Sequence, residues 1–230
     1  SQVEATVKLI DEGNTIPFIA RYRKEVTGNL SDETLRDLGE RLTYLRNLEK
    51  RKEEIIRLID EQGKLNDDIV KALEKADTLT EVEDIYRPYK PKRKTRATMA
   101  KAKGLEPLAH YLLTYPQDEI EVEALKYINE EVASVDEAFQ GARDIIAEMI
   151  ADNADYRKWI RGYMTKKGEI QSKVRDESLD ERKVYEQYYD YSEPISRIVP
   201  HRILAMNRGE SEKILRISIL DDAEGVHRYL

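Results

Sequence analysis

A row of aliphatic side chains in residues 31–62 constrains the fold more than any other feature of the sequence. Leucine and isoleucine recur at steps of three and four residues, which places them on one face of an α-helix. The row comprises Leu35, Leu38, Leu42, Leu45, Leu48, Ile55, Ile56 and Ile59. Ser31 is a suitable N-cap and Gly63 a suitable stop. The pattern therefore predicts one long helix over residues 31–62.

A leucine row of this kind is also typical of a coiled coil. Lys52 interrupts the row, and the repeat continues for too few heptads to sustain a supercoil. We therefore favour a buried spine helix within a globular unit over a coiled coil.

Shorter helices flank the spine helix and are separated by glycine, proline and capping residues. Their predicted boundaries are marked by Gly13, Asn66, the capping box Thr80-x-x-Glu83, Pro88, Gly104, Pro116, the capping box Ser134-x-x-Glu137 and Gly168. Residues 214–220 alternate as a strand does, whereas residues 169–175 fit either a strand or a helix start. The predicted fold class is mainly α, a multi-helix scaffold with a long central helix and at most a few short strands.

The composition agrees with a helical protein. Charged residues make up 37% of the 230 residues, against roughly 25% in an average soluble domain, and only 10 glycines and 7 prolines are present. The absence of cysteine excludes disulfides, thiolate zinc sites and a cysteine nucleophile, and it favours a reducing compartment. The sequence has no apolar run of roughly 18 residues and no signal-peptide core. We therefore expect a cytoplasmic protein with no membrane partner.

Residues 85–105 form a basic run with eight basic and no acidic side chains. These bases are Arg87, Lys90, Lys92, Arg93, Lys94, Arg96, Lys101 and Lys103. The rest of the chain keeps 31 of the 39 bases against all 46 acids, so the net charge of −7 consists of a +8 segment and a −15 remainder. Random filling of the non-acidic positions would supply only about four or five bases.

The basic run has features of a phosphate-binding segment. Pro88 and Pro91 favour an extended, exposed backbone, and Tyr86 and Tyr89 are able to stack on bases or guanidinium groups. We favour phosphate contact. A merely solvated loop and a contact with an acidic protein remain the alternatives.

Two further clusters combine bases with apolar side chains. In residues 156–167, Tyr156, Trp159 and Tyr163 follow helical spacing, so the aromatic rings are expected in the core and the bases in solvent. In residues 16–24, an apolar stretch precedes Arg-Tyr-Arg-Lys, which is typical of a buried anchor with a charged exit.

No catalytic or cofactor site is recognisable in the sequence. His110, His201 and His227 lie far apart and none has a neighbour at metal-ligand spacing. There is no glycine-rich phosphate loop and no nucleophile elbow. We therefore predict a binding protein rather than an enzyme, with no metal and no cofactor.

Several strings closely resemble the Tex family of bacterial transcription accessory proteins. They are PFIARYRKEVTG at residues 17–28, the following LRDLGERLTYLRNLEKRKEEI, LTEVEDIYRPYKPKRKTRATMAKAKGLEPLA at residues 79–109, and HRILAMNRGE at residues 201–210. The first and third strings are the most specific. The resemblance extends over essentially the whole chain and identifies it with the N-terminal portion of such a protein.

The resemblance implies more than the residue patterns do. Tex proteins have a helical N-terminal region with a helix-turn-helix-like insertion, followed by resolvase-like, helix-hairpin-helix and S1 domains, and they bind nucleic acid. They are related to a eukaryotic elongation factor that engages RNA polymerase and histones. The insertion would correspond to residues 66–115, which contain the basic run, and residues 1–65 and 116–230 would form the helical scaffold.

The leading functional prediction is a helical module that contacts the nucleic-acid backbone, RNA or DNA, without sequence specificity and braces downstream domains. The predicted contact residues are Arg87, Lys90, Lys92, Arg93, Lys94 and Arg96. Base reading is not expected, because the segment around Arg96 and Thr98 has no asparagine or glutamine. The alternative is a protein-interaction scaffold with no nucleic-acid binding of its own, which docks RNA polymerase or other domains through the negatively charged remainder of the chain and the tyrosine-rich stretch of Tyr185, Tyr188, Tyr189 and Tyr191.

Overall fold

The computed structural model describes residues 1–92, 94–117, 119–220 and 222–230. The described chain is mainly α-helical with one three-stranded sheet, which confirms the predicted fold class. It divides into two compact units, unit 1 (Ser1–Tyr89) and unit 2 (Lys90–Leu230). Across the described ranges, no helix has the length and apolar character that a membrane span requires.

Unit 1 is entirely helical in its regular structure. Its helices are α1 (Gln2–Asp11), α2 (Ile16–Tyr22), α3 (Asp32–Asp60), α4 (Asp67–Lys75) and α5 (Leu79–Tyr86), and a 3-10 helix (Arg87–Tyr89) ends the unit.

The long helix α3 is the spine of unit 1. The Thr34 N–H donates to Ser31 Oγ at 3.1 Å, and Gly63 takes a left-handed φ of 66° after the helix ends. Its N-terminal half packs through Leu35 against α1 and α2, and its C-terminal half packs through Ile55 and other aliphatic side chains against α4 and α5. The predicted buried spine helix is confirmed.

Lys52, which interrupts the leucine row, is buried in unit 1. Its ammonium group donates to Glu49 Oε1 at 2.9 Å and to the Glu74 carbonyl oxygen at 3.4 Å. That carbonyl lies in the last turn of α4, where helix carbonyls lack partners within the helix and a cation is favourable. Lys52 therefore joins the two helices at a position where the aliphatic row is broken.

The helix caps between α3 and α5 agree with the prediction in one case and correct it in another. The Ile69 N–H donates to Asn66 Oδ1 at 2.9 Å, which confirms Asn66 as the cap of α4. The predicted capping box at Thr80 is wrong, because Thr78 caps α5 by accepting from the Glu81 N–H at 3.2 Å. With this earlier start, the buried Val82 is the fourth residue of α5.

Unit 2 combines a helical half with a sheet. Its elements are α6 (Arg96–Ala102), α7 (Glu106–Leu113), α8 (Ile120–Leu125), α9 (Val135–Asp152), α10 (Ala154–Lys167), β1 (Glu169–Val174), β2 (Asp190–Pro194), α11 (Pro200–Ser211), β3 (Leu215–Leu220) and α12 (Ala223–Tyr229). Two 3-10 helices, Glu177–Leu179 and Glu186–Tyr188, lie between β1 and β2.

The core of the helical half is built on α9. Ser134 caps this helix as predicted, since its Oγ accepts from the Glu137 N–H at 3.2 Å. Small side chains on α9 let α6 and α7 approach closely, and a methyl group placed on Gly141 would lie 2.4 Å from Leu105 Cδ1. The region 66–115 thus spans both units, with α4 and α5 in one and α6 and α7 in the other. Its assignment as a helix-turn-helix-like subdomain stays a prediction.

The sheet has the order β2-β1-β3, and both strand pairs are antiparallel. The register pairs Glu169 with Pro194 on one side and with Leu220 on the other. The strand predicted at residues 214–220 is confirmed, and residues 169–175 form a strand rather than a helix start. The strand β2 was not predicted, because its sequence DYSEP has no alternating apolar pattern.

The tyrosine-rich segment before β2 belongs to the core beside the sheet. Tyr185 and Tyr188 are buried together with Met206 and Leu215 of α11 and β3. The prediction that these tyrosines dock a partner is wrong for the two buried rings. The two rings form part of the apolar core between the short sheet and α11, the helix that packs against it.

Asp180 fixes the loop that carries this segment. Its carboxylate accepts from the N–H groups of Val184 and Tyr185, both at 2.8 Å, and from the Tyr189 hydroxyl at 3.0 Å. Burial alone would raise the pKa of Asp180, but these three donors lower it below its ordinary value. Burial and the bond to Asp180 raise the pKa of Tyr189 to about 12.

Candidate nucleic-acid interface

The described part of the basic run begins unit 2 as a loop that leads into α6. The loop is tied down at its end by Thr95, whose Oγ accepts from the Thr98 N–H at 3.0 Å and donates to Glu148 Oε2 of α9 at 3.0 Å. Thr98 completes the cap, since its Oγ accepts from the Thr95 N–H at 2.7 Å. The start of α6 is therefore fixed against α9.

Lys92 anchors the same loop from its other end. Its ammonium group pairs with Asp152 and with Glu148, the latter at 3.1 Å, and only 26% of the side chain is exposed. Burial lowers the pKa of Lys92, but the two carboxylates outweigh burial and raise it above its ordinary value. The charge of this predicted contact residue is thus balanced inside unit 2, and Lys92 holds the loop on α9.

Three other predicted contact residues in unit 2 are exposed. Within the described ranges, no carboxylate oxygen lies within 4.0 Å of the ammonium group of Lys90 or Lys94. Arg96 is 80% exposed, and its Nε lies 3.9 Å from Asp144 Oδ1. Among the described residues, the loop therefore exposes the ammonium groups of Lys90 and Lys94 without an ion-pair partner. The exposed guanidinium group of Arg96 lies next to them in sequence, at the start of α6.

The remaining predicted residues differ from this set. Arg87 lies in unit 1, in the 3-10 helix, and has interaction partners of its own. Arg93 lies outside the described residues. The last two bases of the run are paired, Lys101 with Glu106 at 3.4 Å and Lys103 with Glu137 at 2.7 Å. The folded chain therefore presents fewer unpaired basic side chains than the sequence of the run suggests.

The aromatic cluster of α10 is placed differently from the prediction. Trp159 stacks on Tyr163, with ring centroids 4.9 Å apart, and on Tyr229 of α12, with centroids 3.6 Å apart. No side chain of α10 is fully buried, so the expected core position of these rings is wrong. Tyr229 was missed because no local pattern links it to α10.

The basic cluster after α2 has the predicted anchor. Ile19 and Ala20 are buried, while the four residues that follow, Arg21 to Lys24, are exposed. The Arg23 guanidinium lies 5.2 Å from the centre of the Phe18 ring, and the Tyr22 ring lies 5.2 Å from the same ring. Arg21 and Lys24 remain without an ion-pair partner among the residues that the structure describes.

The described residues contain no group of three or more histidine, aspartate or glutamate side chains placed to hold a metal ion. His201 lies in the first turn of α11, as its position after Pro200 predicts.

Two family models match the chain. Residues 1–60 match the Tex-like protein N-terminal domain, and residues 115–229 match the Tex central region-like model. In the sequence, the exposed bases Lys90, Lys94 and Arg96 lie between the two matched segments.

Three relatives illustrate the range of the similarity. The chain is 52% identical to the YdcI protein of Bacillus subtilis over 99% of its own length and 32% of the relative's. It is 43% identical to the transcriptional accessory protein Tex of Neisseria gonorrhoeae over 95% of the chain and 29% of the relative. It is 35% identical to the human S1 RNA-binding domain-containing protein 1 over 93% of the chain and 22% of the relative. The chain thus spans less than a third of the length of these relatives.

Proposed function

The chain belongs to the Tex family of transcription accessory proteins, and on this basis we propose that unit 2 contacts the phosphate backbone of nucleic acid through Lys90, Lys94 and Arg96. The observation that carries the proposal is the pair of exposed ammonium groups of Lys90 and Lys94, which have no carboxylate partner among the described residues, on a loop that the rest of unit 2 holds in place. A cation on a fixed loop loses less conformational freedom on binding than one on a free segment.

Lys92 has a positioning role in this proposal. Its pairing with Asp152 and Glu148 holds the loop between the two exposed lysines, so its charge serves the fold while theirs face the ligand. The ammonium group of Lys92 offsets part of the negative charge of the two carboxylates, which therefore repel an approaching phosphate less.

Sequence readout is not part of the proposed contact. Base recognition in the major groove requires free polar side chains near the start of a helix. At the start of α6, the hydroxyls of Thr95 and Thr98 are used in the cap and in the bond to Glu148. Arg96 alone is left for a ligand there, which favours contact with phosphate.

The proposed role is one of binding without catalysis. The human relative is named for an S1 RNA-binding domain, which supports RNA as a partner of the longer protein. We propose that the present chain adds a non-specific backbone contact and braces the further domains of such a protein, in the cytoplasm.

The test is titration of the chain with duplex DNA, single-stranded DNA and RNA at low salt. Three phosphate contacts predict a slope of about −2.7 for log affinity against log salt on B-DNA. The variant K90Q/K94Q/R96Q is expected to lose most of this slope. The control K64Q/K71Q/K75Q removes the same charge from exposed positions of unit 1. Equal affinities for the two triple variants would refute the site.

A second candidate function is a protein-interaction scaffold that docks RNA polymerase. The observation that favours it is the apolar surface of α8, where Val122 and Leu125 are more than half exposed beside acidic side chains. The expected result is capture of purified RNA polymerase by the chain and loss of capture in V122S/L125S. Capture that is unchanged in this variant would argue against a docking role for α8.

A further inference from the structure

The loop between α2 and α3 lines a half-open cavity of about 580 Å³ on the surface of unit 1. Its apolar wall is formed by Pro17, Ala20 and Leu30, and its polar wall includes Arg21, Lys24 and Arg36. Asp32 is the acidic residue of the lining, and it pairs with Arg36. The cavity therefore carries positive charge from Arg21 and Lys24 that no carboxylate of the described residues pairs with.

The loop that forms this cavity is held by hydrogen bonds from its own interior. The hydroxyl of buried Thr27 donates to the Lys24 carbonyl oxygen at 3.1 Å, and the Asn29 N–H donates to the same oxygen at 2.8 Å. The Gly28 carbonyl oxygen accepts from Gln2 Nε2 of α1 at 3.0 Å. The backbone of Lys24 is thus held in place by two hydrogen bonds to its carbonyl oxygen.

The turn that brings the loop back to α3 requires an unusual backbone. Gly28 and Asn29 adopt left-handed φ values of 66° and 62° in succession. A methyl group on Gly28 would lie 2.3 Å from Gln2 Nε2, so a side chain there would break the bond to α1. This restricted turn returns the chain to α3, so that Asp32 and Arg36 line the cavity together with Arg21 and Lys24.

We propose that this cavity is a phosphate-binding site of unit 1. A phosphate group offers several acceptor oxygens at once, which suits an ammonium and a guanidinium group that line the same cavity. The volume exceeds that of a phosphate ion and leaves room for the sugar of a nucleotide against the apolar wall. A nucleic-acid strand as the source of the phosphate rests on the function proposed above, but the phosphate chemistry does not.

The first arm of the test uses inorganic phosphate and the whole chain. Amide chemical shifts of residues 21–24 and 29–31 are expected to move on titration in the wild type. They are expected to stay still in R21Q/K24Q and to move as in the wild type in the control K71Q/K75Q. All four substituted side chains are exposed, and circular dichroism checks that both variants fold. Unchanged shifts in the wild type, or equal shifts in R21Q/K24Q, would overturn the proposal.

The second arm identifies the source of the phosphate with a short single-stranded oligonucleotide at low salt. R21Q/K24Q is expected to weaken binding about tenfold, the factor that one charged hydrogen bond contributes, and to reduce the salt slope by about 0.7. The control K71Q/K75Q is expected to leave both unchanged. Phosphate shifts in the wild type, together with oligonucleotide binding that is equally tight in the wild type and in R21Q/K24Q, would support a free phosphate as the ligand.

Two comparisons keep this inference separate from the contact proposed for unit 2. If R21Q/K24Q weakens binding and K90Q/K94Q/R96Q does not, the cavity is supported and the loop of unit 2 is refuted. The reverse pattern, with the cavity shifts absent, overturns the cavity alone. Shifts of equal size with a polyglutamate peptide would overturn phosphate as the preferred ligand.

Discussion

The spine helix of unit 1 and the sheet of unit 2 differ in how far apart in sequence their stabilising contacts lie. Helix α3 closes its N-terminal end with a bond between Ser31 and Thr34, three residues apart. The central strand β1 instead pairs Glu169 with Pro194 and with Leu220. The helix is therefore specified by neighbours in sequence, whereas the sheet exists only after distant segments have met.

This difference separates the stabilising interactions of the two regions. In α3, aliphatic side chains such as Ile55 supply the burial, and each fully buried side chain of this kind contributes about 1.5–3 kcal/mol. Beside the sheet, polar groups such as Asp180 fix the backbone of the loop that carries the buried tyrosines. Variants are expected to act through packing in the first region and through ionisation in the second.

The largest effect is expected from Ile55→Ala in the middle of the spine helix. Ile55 is fully buried against α4 and α5, and removal of its side chain leaves a cavity that costs about 2–5 kcal/mol. Hydrogen exchange is the suitable measurement, because it reports the free energy of opening separately for each unit. The amides of unit 1 are expected to exchange faster.

The control is Leu45→Ala, on the same helix but with its side chain 39% exposed, which is expected to change exchange much less. Faster exchange in unit 2 as well, to the same degree, would show that the two units open as one and would remove the distinction between them.

The second effect concerns Lys92, which joins residues 60 positions apart in sequence. Lys92→Met leaves the largely buried carboxylates of Glu148 and Asp152 without their ammonium partner and is expected to cost about 1–3 kcal/mol at pH 7. Because the folded-state pKa of Lys92 is raised above 10.5, this stabilisation is complete below pH 10.5 and is lost as the pH rises through the raised value. Urea denaturation at several pH values measures it.

Lys94→Met serves as the control for this variant, since the side chain is exposed and has no carboxylate nearby within the described residues. A cost of Lys94→Met equal to that of Lys92→Met would show that the loop as a whole, and not the buried pair, stabilises unit 2.

The reach of the sequence prediction follows the same division. The long helix and the caps Asn66 and Ser134 were predictable because each depends on residues three or four positions apart. At the interface, the pattern of charges located the basic run but did not distinguish Lys92 from Lys90. That distinction depends on α9, which meets the loop only in the folded chain.

A third, smaller effect tests the polar fixation beside the sheet. Asp180→Asn removes the charge that three donors share and is expected to lower the unfolding temperature by about 2 to 4 °C at pH 7. The folded-state pKa of Asp180 lies below its ordinary value of 3.8, so its stabilisation is present above pH 3.8 and is lost as the pH falls through the lowered value. The difference from the wild type is expected to vanish in acid.

Asp190→Asn is the matched control for Asp180→Asn, because this exposed carboxylate is in the same region. Differential scanning calorimetry over a range of acidic pH values makes the measurement. A difference between Asp180→Asn and the wild type that persists unchanged in acid would mean that shape, and not charge, is what Asp180 contributes.

The smallest effect concerns the cap at the start of the spine helix and tests whether the bond between Ser31 and Thr34 stabilises the helix. Ser31→Ala removes the acceptor for the Thr34 N–H and is expected to cost about 1 kcal/mol, while Ser31→Asp retains an acceptor and is expected to cost little. Exchange of the first amides of α3 measures the change. If Ser31→Ala left that exchange unchanged, packing of Leu35 alone would fix the start of the helix, and unit 1 would depend on tertiary contacts as much as the sheet does.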